Sequence, residues 1–275
     1  MSGHEQSPTE KNMECGSNLL GQSVGLSLPG WRHAIRPQKA AICGRFCQLV
    51  PTDPEAHAAA LFEAHRLDCE GRNWTYLPYG PFGSAEEYRY WMQENATGTD
   101  PLFFTILRLP DLKPVGLAAF LRIDPRNGTI EVGHLQYSPL LQRTPSATEA
   151  MCLMMREAFE WGYRRCEWKC NALNEPSRVA AQRLGFSFEG LFLNAAVVKG
   201  CNRDTAWYSV IDSEWPAISK AHTDWLAPEN FDEAGRQHVR LTELTSPLLR
   251  HRVIMNGQPP TKGRVVDIPD GGTDP

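Results

Sequence analysis

The spacing of hydrophobic and polar residues changes between helical and strand periods in a regular order from about residue 44 to about residue 226. After a short strand that ends in a proline, an apolar stripe through Leu61, Ala64 and Leu67 predicts a helix. Ser84, followed by two glutamates, is typical of a second helix start, because the first turn of a helix favours a hydroxyl cap and negative charge.

Strand-type stretches follow in hairpin order. Residues 101–109 and 113–123 have the composition of strands, and Asn127-Gly128 predicts a tight turn before a third. Near the end of the patterned region, two more strands predict a second hairpin, whose turn we expect at Gly200–Arg203.

Helices separate these strands. The patterns predict helices over 148–165, over 175–186 with an end at Gly185, and over 213–226, with a strand at 166–173 between the first two. The order of elements predicts an α/β (α+β) fold in which a mixed, mostly antiparallel central sheet carries helices on both faces. Such a sheet can leave a ligand crevice open at a crossover between neighbouring strands.

Three regions of the chain differ in pattern. Residues 1–40 show little periodicity and are expected to form a mobile N-terminal extension, whereas 41–227 contain all the predicted elements. Residues 228–275 are expected to form a C-terminal extension that ends in a tail rich in proline and glycine. The central region is long enough to bury one sizeable core.

Composition narrows the class of protein. The 275 residues are 41% hydrophobic and 22% charged, which is typical of a globular domain. The net charge of −4 and the lack of a basic stripe argue against a nucleic-acid partner. No apolar run reaches the ~20 residues of a membrane span, and the first residues lack a secretion-signal pattern, so we expect a cytoplasmic protein that does not bind membranes.

The eight cysteines are scattered along the chain. Cys166 and Cys170 lie four residues apart in a predicted strand, but no CxxC pair or Cys/His cluster accompanies them. We therefore expect free thiols and no metal site.

The turn before the helix at 148 has an unusual run of small residues, RTPSAT. Thr144 can cap the helix and Pro145 suits its first position, which explains the run as ordinary capping. A second interpretation is an anion site, because the free N–H groups and the dipole of a helix N-terminus attract phosphate, and the small side chains of Ser146 and Ala147 would let a diphosphate approach.

Several motifs in a fixed order favour the second interpretation. The set EVG, QRTPSATEA, NEPS, RLGF and EG, spread over roughly residues 46–225, resembles the GNAT superfamily of acyl-CoA-dependent N-acetyltransferases. The branch it resembles most is that of the ribosomal-protein N-terminal (alanine or serine) acetyltransferases. Each motif is weak by itself, whereas the ordered set is fairly specific.

The resemblance implies acetyl-CoA as the co-substrate, with no metal. The family's diphosphate loop, Q/R-x-x-G-x-G/A, falls on Gln142, Pro145 and Ala147, so proline replaces the first glycine and removes one amide donor. The strand at 135–137 should splay from its neighbour at 168–170 and admit the pantetheine arm. The residues implied to hold acetyl-CoA are Leu135, Gln136, Tyr137, Gln142, Arg143, Ser146, Ala147, Thr148, Asn174 and Ser177.

The resemblance also implies catalytic roles. An ammonium must lose a proton before it can attack a thioester, and Glu131 matches a strand glutamate that the superfamily uses as the base. His134, expected on the opposite strand face, and a water chain are the alternatives. Ser177 matches a hydroxyl that some relatives use to protonate the leaving thiolate. The tyrosine acid that is usual in the superfamily is absent, since Ala181 stands at its position. Covalent catalysis by a cysteine is a lesser alternative.

The acceptor side is less well marked. Aromatic and charged residues in the loop at 73–83 and in the second hairpin could line an acceptor pocket, although each could equally belong to the core or a turn. The candidates are Trp74, Tyr76, Tyr79, Arg203 and Trp207.

The sequence thus predicts an acetyl-CoA-dependent N-acetyltransferase that modifies a primary amine of a small molecule, a peptide or a protein N-terminus by direct attack. The alternative is a non-catalytic acyl-CoA-binding or interaction protein on the same scaffold, which the altered loop and the missing tyrosine favour. A monomer or a homodimer is compatible with either function.

Overall fold

The computed structural model describes residues 16–251, which fall into two units. The first unit reaches His33 and contains two short antiparallel strands, β1 (Gly16–Ser17) and β2 (Ser23–Val24). Residues 1–15 of the predicted N-terminal extension and 252–275 of the predicted C-terminal tail lie outside the described residues.

The second unit begins at Ala34 and holds the remaining elements. Its strands are β3 (Ile42–Cys43), β4 (Cys47–Pro51), β5 (Leu102–Arg108), β6 (Lys113–Asp124), β7 (Thr129–Tyr137), β8 (Arg165–Asn171), β9 (Ser187–Val198) and β10 (Cys201–Ile211). Its helices are α1 (Pro54–His65), α2 (Ala85–Asn95), α3 (Pro145–Glu160), α4 (Glu175–Arg183), α5 (Trp215–Leu226) and α6 (Leu241–Thr245). Single 3₁₀ turns lie at Arg72–Trp74, Pro228–Asn230 and Ser246–Leu248.

The eight strands of this unit form one sheet in the order β3-β4-β5-β6-β7-β8-β10-β9. Every neighbouring pair is antiparallel except β7 and β8, which are parallel because α3 connects them as a crossover. The predicted mixed, mostly antiparallel sheet is confirmed.

Helices cover both faces of the sheet, as predicted. On one face, α3 buries Ala150, Met154 and Ala158 among the residues of the main core. On the other, α1 and α2 pack Leu61 and Met92 into a smaller aromatic core. The shorter α1 and α2 bury one stripe each, whereas α3 is buried on most of its circumference from Thr148 to Met155.

A carboxylate anchors the start of α3 to β4. Glu149 is buried and accepts hydrogen bonds from the main-chain N–H groups of Arg45, Phe46 and Cys47, at 2.7, 2.6 and 2.8 Å. A carboxylate that receives three N–H donors is well compensated for its burial. The contact holds the N-terminal turn of α3 in place beside the sheet.

Some predicted details are wrong. The second hairpin turns at Lys199-Gly200, and Arg203 lies within β10 rather than in the turn. Both turn residues have positive φ, 50° and 75°, which is the backbone twist that suits a two-residue hairpin. Leu67 was predicted on the apolar stripe of α1, but it lies beyond the helix end and is 54% exposed.

The parallel ladder between β7 and β8 is short. It contains the pairs Thr129–Arg165, Ile130–Cys166 and Glu131–Glu167, and then the two strands separate. Beyond this point β8 continues to pair with β10, and β7 continues to pair with β6. The sheet therefore opens into a cleft between 132–137 and 168–171, as the predicted splay requires.

A bulge in β7 changes which side chains face this cleft. Ala118 is the single residue of β6 between Leu117 and Ala119, and it faces two residues of β7, His134 and Leu135, between Gly133 and Gln136. His134 has a positive φ of 51° at this point. The expectation that Glu131 and His134 lie on opposite faces is therefore wrong, because the extra residue reverses the alternation and both side chains line one cavity.

Candidate functional site

The opening between β7 and β8 is a cavity of about 240 Å³. Glu131 and His134 lie on the β7 side, and Cys170, Asn174 and Ser177 lie on the β8 and α4 side. The parting of two strands leaves main-chain polar groups without a neighbouring strand, and these can bind an extended ligand as a strand would. Four residues assigned from sequence to catalysis or acetyl-CoA binding thus lie together here.

Charged groups meet where the ladder ends. Glu131 and Glu167 are directly opposed on β7 and β8, and Lys169 lies between them, with its Nζ 3.0 Å from Glu131 Oε2 and 2.7 Å from Glu167 Oε2. Arg122 reaches the same Glu131 oxygen at 2.7 Å. One buried ammonium therefore compensates two carboxylates, which would otherwise repel each other. No sequence motif marks Lys169, because its partners become neighbours only in the sheet.

The surroundings of Glu131 favour its protonated form. Its side chain is 4% exposed, and this burial raises the pKa of the carboxyl above its usual value, while Lys169 and Arg122 act in the opposite direction. A raised pKa makes a carboxylate a better proton acceptor near neutral pH. Arg122 is largely exposed, so it can move away from Glu131 without a burial cost.

His134 is a weaker candidate for the base. Gln136 Nε2 donates to Tyr79 Oη at 3.2 Å, so the Tyr79 hydroxyl proton is available to His134 Nδ1, 2.9 Å away. The ring proton of a neutral His134 is then on Nε2, which becomes a donor. Burial lowers the pKa of His134 to about 4, with Arg122 and Arg203 acting in the same direction. A neutral imidazole held in this way is a poor proton acceptor at pH 7.

Ser177 lies on the far wall of the cleft between two side-chain partners. Trp168 Nε1 donates to Ser177 Oγ at 3.0 Å. Because an indole N–H can only donate, the serine oxygen accepts from it, and the serine O–H can donate to its second partner, Cys170. Asn174 caps α4 by accepting from the Ser177 main-chain N–H at 3.2 Å, which fixes the serine at the first turn. Ala181 is buried in the main core and presents no acid.

The N-terminal turn of α3 lies at the end of β7, where the diphosphate was predicted. Thr144 caps the helix by accepting from the Ala147 N–H at 3.2 Å, and Pro145 occupies the first position. Ser146 and Thr148 are buried: the Ser146 hydroxyl donates to Phe46 O, and the Thr148 hydroxyl accepts from Arg183. Main-chain N–H groups and the helix dipole, rather than these hydroxyls, are therefore what the turn offers an anion.

Arg183 adds positive charge to this turn. Its Nη1 lies 2.9 Å from Thr148 Oγ1, and its guanidinium carbon lies 5.2 Å from the centre of the Trp225 ring. Burial lowers the pKa of the guanidinium somewhat, but arginine remains charged in proteins. Arg183 belongs to the RLGF motif, yet its position beside α3 depends on the packing of α4. Arg143, the other cation at the turn, is exposed and has a φ of 59°.

The remaining residues predicted to contact acetyl-CoA have local partners. Gln142 Nε2 donates to Asn73 Oδ1 at 2.7 Å and to Tyr137 O at 2.9 Å, which links the turn before α3 to the loop at 72–80. The Gln136 side chain accepts from Tyr88 at 2.5 Å on the face away from α3. Only the main chain of Gln136 can therefore face a ligand. Leu135 contributes to the wall of the cleft.

The predicted acceptor residues fall into two groups. Tyr76 and Arg203 line the cleft, and the Tyr76 hydroxyl donates to Leu173 O at 3.1 Å across it. Trp74 lines a separate cavity, Tyr79 holds His134, and Trp207 packs its ring 3.8 Å from Lys169 Nζ. Three of the five candidates thus support neighbouring groups instead of lining the cleft.

Covalent chemistry by a cysteine is disfavoured. Cys166 and Cys170 are buried, and burial raises the pKa of both thiols, that of Cys170 to about 11. A thiol must ionise to become a good nucleophile. Over residues 16–251, no three or more His, Cys, Asp or Glu side chains form a group that could hold a metal ion. In the same part of the chain, the helices are too short or too polar to cross a bilayer.

Residues 48–187, about half of the chain, match the family described as acetyltransferase (GNAT) domain. A search of curated proteins finds no significant match. A GCN5-related N-acetyltransferase from Brucella melitensis is 44% identical in sequence, with a TM-score of 0.78, and the match covers 80% of this chain and 100% of that one. A candidate GNAT-family acetyltransferase from Chromobacterium violaceum is 40% identical, with a TM-score of 0.64, over 70% of this chain and 96% of that one.

One more distant structure bears on the predicted branch. A candidate ribosomal-protein-serine acetyltransferase from Vibrio cholerae is 21% identical, with a TM-score of 0.52, over 62% of this chain and 97% of that one. A sequence identity of 21% supports a shared fold and does not support a shared substrate. The ribosomal-protein branch therefore stays a prediction.

Proposed function

The chain belongs to the GNAT acetyltransferase family, and from this premise we propose that it is an acetyl-CoA-dependent N-acetyltransferase acting on a primary amine. The observation that carries the proposal is the parting of β7 and β8 immediately after the Glu131–Glu167 pair, beside the N-terminus of α3. The cleft suits a pantetheine arm, and the helix N-terminus suits a diphosphate.

Acetyl-CoA supplies the acyl thioester. Main-chain N–H groups at the turn before α3, the dipole of α3, and the charges of Arg143 and Arg183 would hold its diphosphate. Pro145 contributes no N–H, so this chain relies on these cations more than a glycine-rich loop would. The main chain near Leu135 and Gln136, on the edge of β7 that no longer pairs with β8, would bind the arm and polarise the carbonyl oxygen.

The protein's own side chains supply the proton transfers. Glu131 accepts the proton that the acceptor ammonium must lose, and the ion pair with Lys169 keeps its carboxylate pointed into the cleft. Ser177, on the opposite wall, donates its hydroxyl proton to the departing thiolate. The cleft places donor and acceptor groups on facing walls, so positioning accounts for much of the proposed acceleration.

The acceptor is proposed as the amine of a small molecule, a peptide or a protein N-terminus, and ribosomal-protein N-termini form one class to test. Tyr76 and Arg203 lie at the wall where that acceptor would enter. A non-catalytic acyl-CoA-binding protein is the second candidate, because Pro145 weakens the loop and two cations engage Glu131.

Two measurements separate these functions. Thermal shift with acetyl-CoA and with CoA tests binding, and thiol release with a panel of small amines, peptides and ribosomal-protein N-terminal peptides tests turnover. If the protein is an enzyme, acetyl-CoA should raise its melting temperature and at least one amine should cause release of CoA. A shift without turnover on any amine would support the binding protein, and the absence of a shift would contradict both.

A further inference from the structure

A second cavity lies apart from the cleft, between the end of α1, the loop at 66–82 and α2. Its volume is about 290 Å³. An apolar cavity of about 150 Å³ can already hold a molecule the size of benzene. The space is therefore large enough for a ligand of one or two rings.

The walls of this cavity are aromatic. Phe62, Trp74, Phe82 and Tyr88 line it, and their rings pack edge-on or stacked, with centroids 5.4 Å apart for Trp74 and Phe82 and 4.8 Å apart for Phe82 and Tyr88. Flat aromatic surfaces of this kind favour flat aromatic ligands, which pack in the same offset or edge-on arrangements.

One buried polar side chain lines the cavity without a partner. His65 is 4% exposed, and neither of its ring nitrogens has a hydrogen-bond partner among the described residues. Leaving buried polar atoms unpaired costs about 1–3 kcal/mol each, so such groups normally have partners. Burial lowers the pKa of His65 to about 4, which keeps the ring neutral at pH 7 with one donor and one acceptor nitrogen.

The two arginines near the opening are already paired. Arg66 pairs with Glu63 at 2.6 Å, Arg72 pairs with Glu70, and Asp68 accepts from the Asn73 N–H at 2.8 Å. An anionic ligand would therefore gain little at this rim. A neutral ligand with a single hydrogen-bonding group matches the one unsatisfied side chain.

We propose that this cavity is a binding site for a small, neutral, planar aromatic molecule that carries a hydroxyl or a ring N–H, and that His65 hydrogen-bonds that group. The site is distinct from the cleft and does not depend on the proposed acetyl transfer. Its ligand class is that of phenols and indoles.

Calorimetric titration of the full chain with phenol and with indole tests this site, with toluene as a probe of the same shape that cannot hydrogen-bond. Phenol and indole should bind the wild type, and His65→Leu should weaken both at least tenfold while affecting toluene less than threefold. His65→Leu should also leave the melting temperature unchanged or raise it, because leucine replaces an unpartnered polar group. Failure of both polar probes to bind, or equal affinity for His65→Leu, would overturn the proposal.

A measurement on the wild type does not depend on how the variant folds. With ¹⁵N-labelled histidine, the His65 ring nitrogen signals should move on titration with phenol, whereas those of His222, which is hydrogen-bonded to Leu184 O, should not. Saturating acetyl-CoA should leave the phenol affinity unchanged. Unmoved His65 signals, or displacement of phenol by acetyl-CoA, would contradict the site.

Discussion

Glu131 and Lys169 form a buried ion pair, with 3.0 Å between Oε2 and Nζ, at the last residue pair before strands β7 and β8 separate. Their side chains are 4% and 7% exposed. The pair therefore lies where the ladder ends and the cleft begins, and it determines the charge of the carboxylate that the proposed chemistry uses.

Replacing Glu131 tests the base. Glu131→Gln should lower kcat by about 10²–10⁴-fold, the usual contribution of a general base, with a change of less than threefold in acetyl-CoA affinity. Glu167→Gln is the matched control, because Glu167 contacts the same Lys169 but belongs to β8, and it should lose far less activity. A pH–rate profile for Glu131→Gln identical to that of the wild type would remove Glu131 as the base.

Removing the shared cation should change both stability and pH dependence. Lys169→Met removes the cation between two opposed carboxylates, and each carboxylate keeps one arginine partner, Arg122 for Glu131 and Arg165 for Glu167. The loss of stability should therefore be smaller than the roughly 3–5 kcal/mol that an uncompensated buried charge costs. The pKa of Glu131 should rise further, because Lys169 is the main influence that lowers it, and the acidic limb of kcat/KM should move to higher pH. Urea unfolding and a pH–rate profile measure the two effects.

The control for this change is Lys220→Met. Lys220 pairs with Asp224 on the surface of α5, where ion pairs contribute little. The control should therefore unfold at nearly the wild-type urea concentration. If the acidic limb of the kcat/KM profile does not shift in Lys169→Met, then Lys169 does not influence the pKa of the catalytic carboxylate.

A negative charge at the turn before α3 should prevent acetyl-CoA binding. Ala147→Glu places a carboxylate beside the main-chain N–H groups that would hold the diphosphate, where it would repel the ligand and block its approach. Ala217→Glu is the control, because it adds the same charge to the first turn of a different helix, α5, and this variant should bind acetyl-CoA with the wild-type affinity. Calorimetry with acetyl-CoA provides the readout, and unchanged affinity for Ala147→Glu would refute the assigned phosphate site.

The tip of the β9–β10 hairpin should influence the acceptor more than the co-substrate. Lys199 Nζ donates to Trp74 O and to Gly80 O, both at 2.8 Å, and so holds the loop that carries Tyr76. Lys199→Met should raise the KM of the acceptor several-fold and leave acetyl-CoA affinity unchanged. Lys113→Met, an exposed change at the start of β6, is the control. If Lys199→Met and Lys113→Met had the same KM for the acceptor, the contact of Lys199 with the loop would not contribute to acceptor binding.

Buried histidines should make the protein sensitive to acid. Burial lowers the pKa of His65 and of His222 to about 4, whereas the unfolded chain takes up these protons near pH 6.5. Their contribution to stability is therefore complete above about pH 6.5 and is lost as the pH falls toward 4, by up to about 1.4 kcal/mol per pH unit for each.

Urea unfolding between pH 7.5 and 4.5 measures this dependence. His65→Leu should reduce the slope of the unfolding free energy with pH over that range, and His238→Leu, at an exposed position, should not. If the unfolding free energy of His65→Leu changed with pH as steeply as that of the wild type, His65 would not be taking up a proton on unfolding.

Local patterns predicted the order of the elements well. The helical period of α3, the serine cap of α2 and the Asn127-Gly128 turn each depend on residues close in sequence, and all appear in the structure. The turn of the second hairpin was displaced, because Lys199 gave no turn signal and adopts a positive φ only in the context of the twisted strand pair.

The candidate site depended more on long-range packing. Glu131, Asn174 and Ser177, which sequence motifs singled out, line one cleft, but motifs could not show that Lys169 joins Glu131 to Glu167. Nor could strand alternation place His134, since a bulge depends on how two strands register with each other.

Taken alone, the sequence determined the mixed α/β fold, the membership in the acetyltransferase family and the region of the cleft, because periodicity and ordered motifs are properties of neighbouring residues. Only the tertiary structure decided which charges meet at the end of the β7–β8 ladder, which hydroxyls are already engaged, and that His65, in the wall of a second cavity, has no hydrogen-bond partner within residues 16–251. Those features depend on distances and burial between residues far apart in the chain, and no local pattern encodes them.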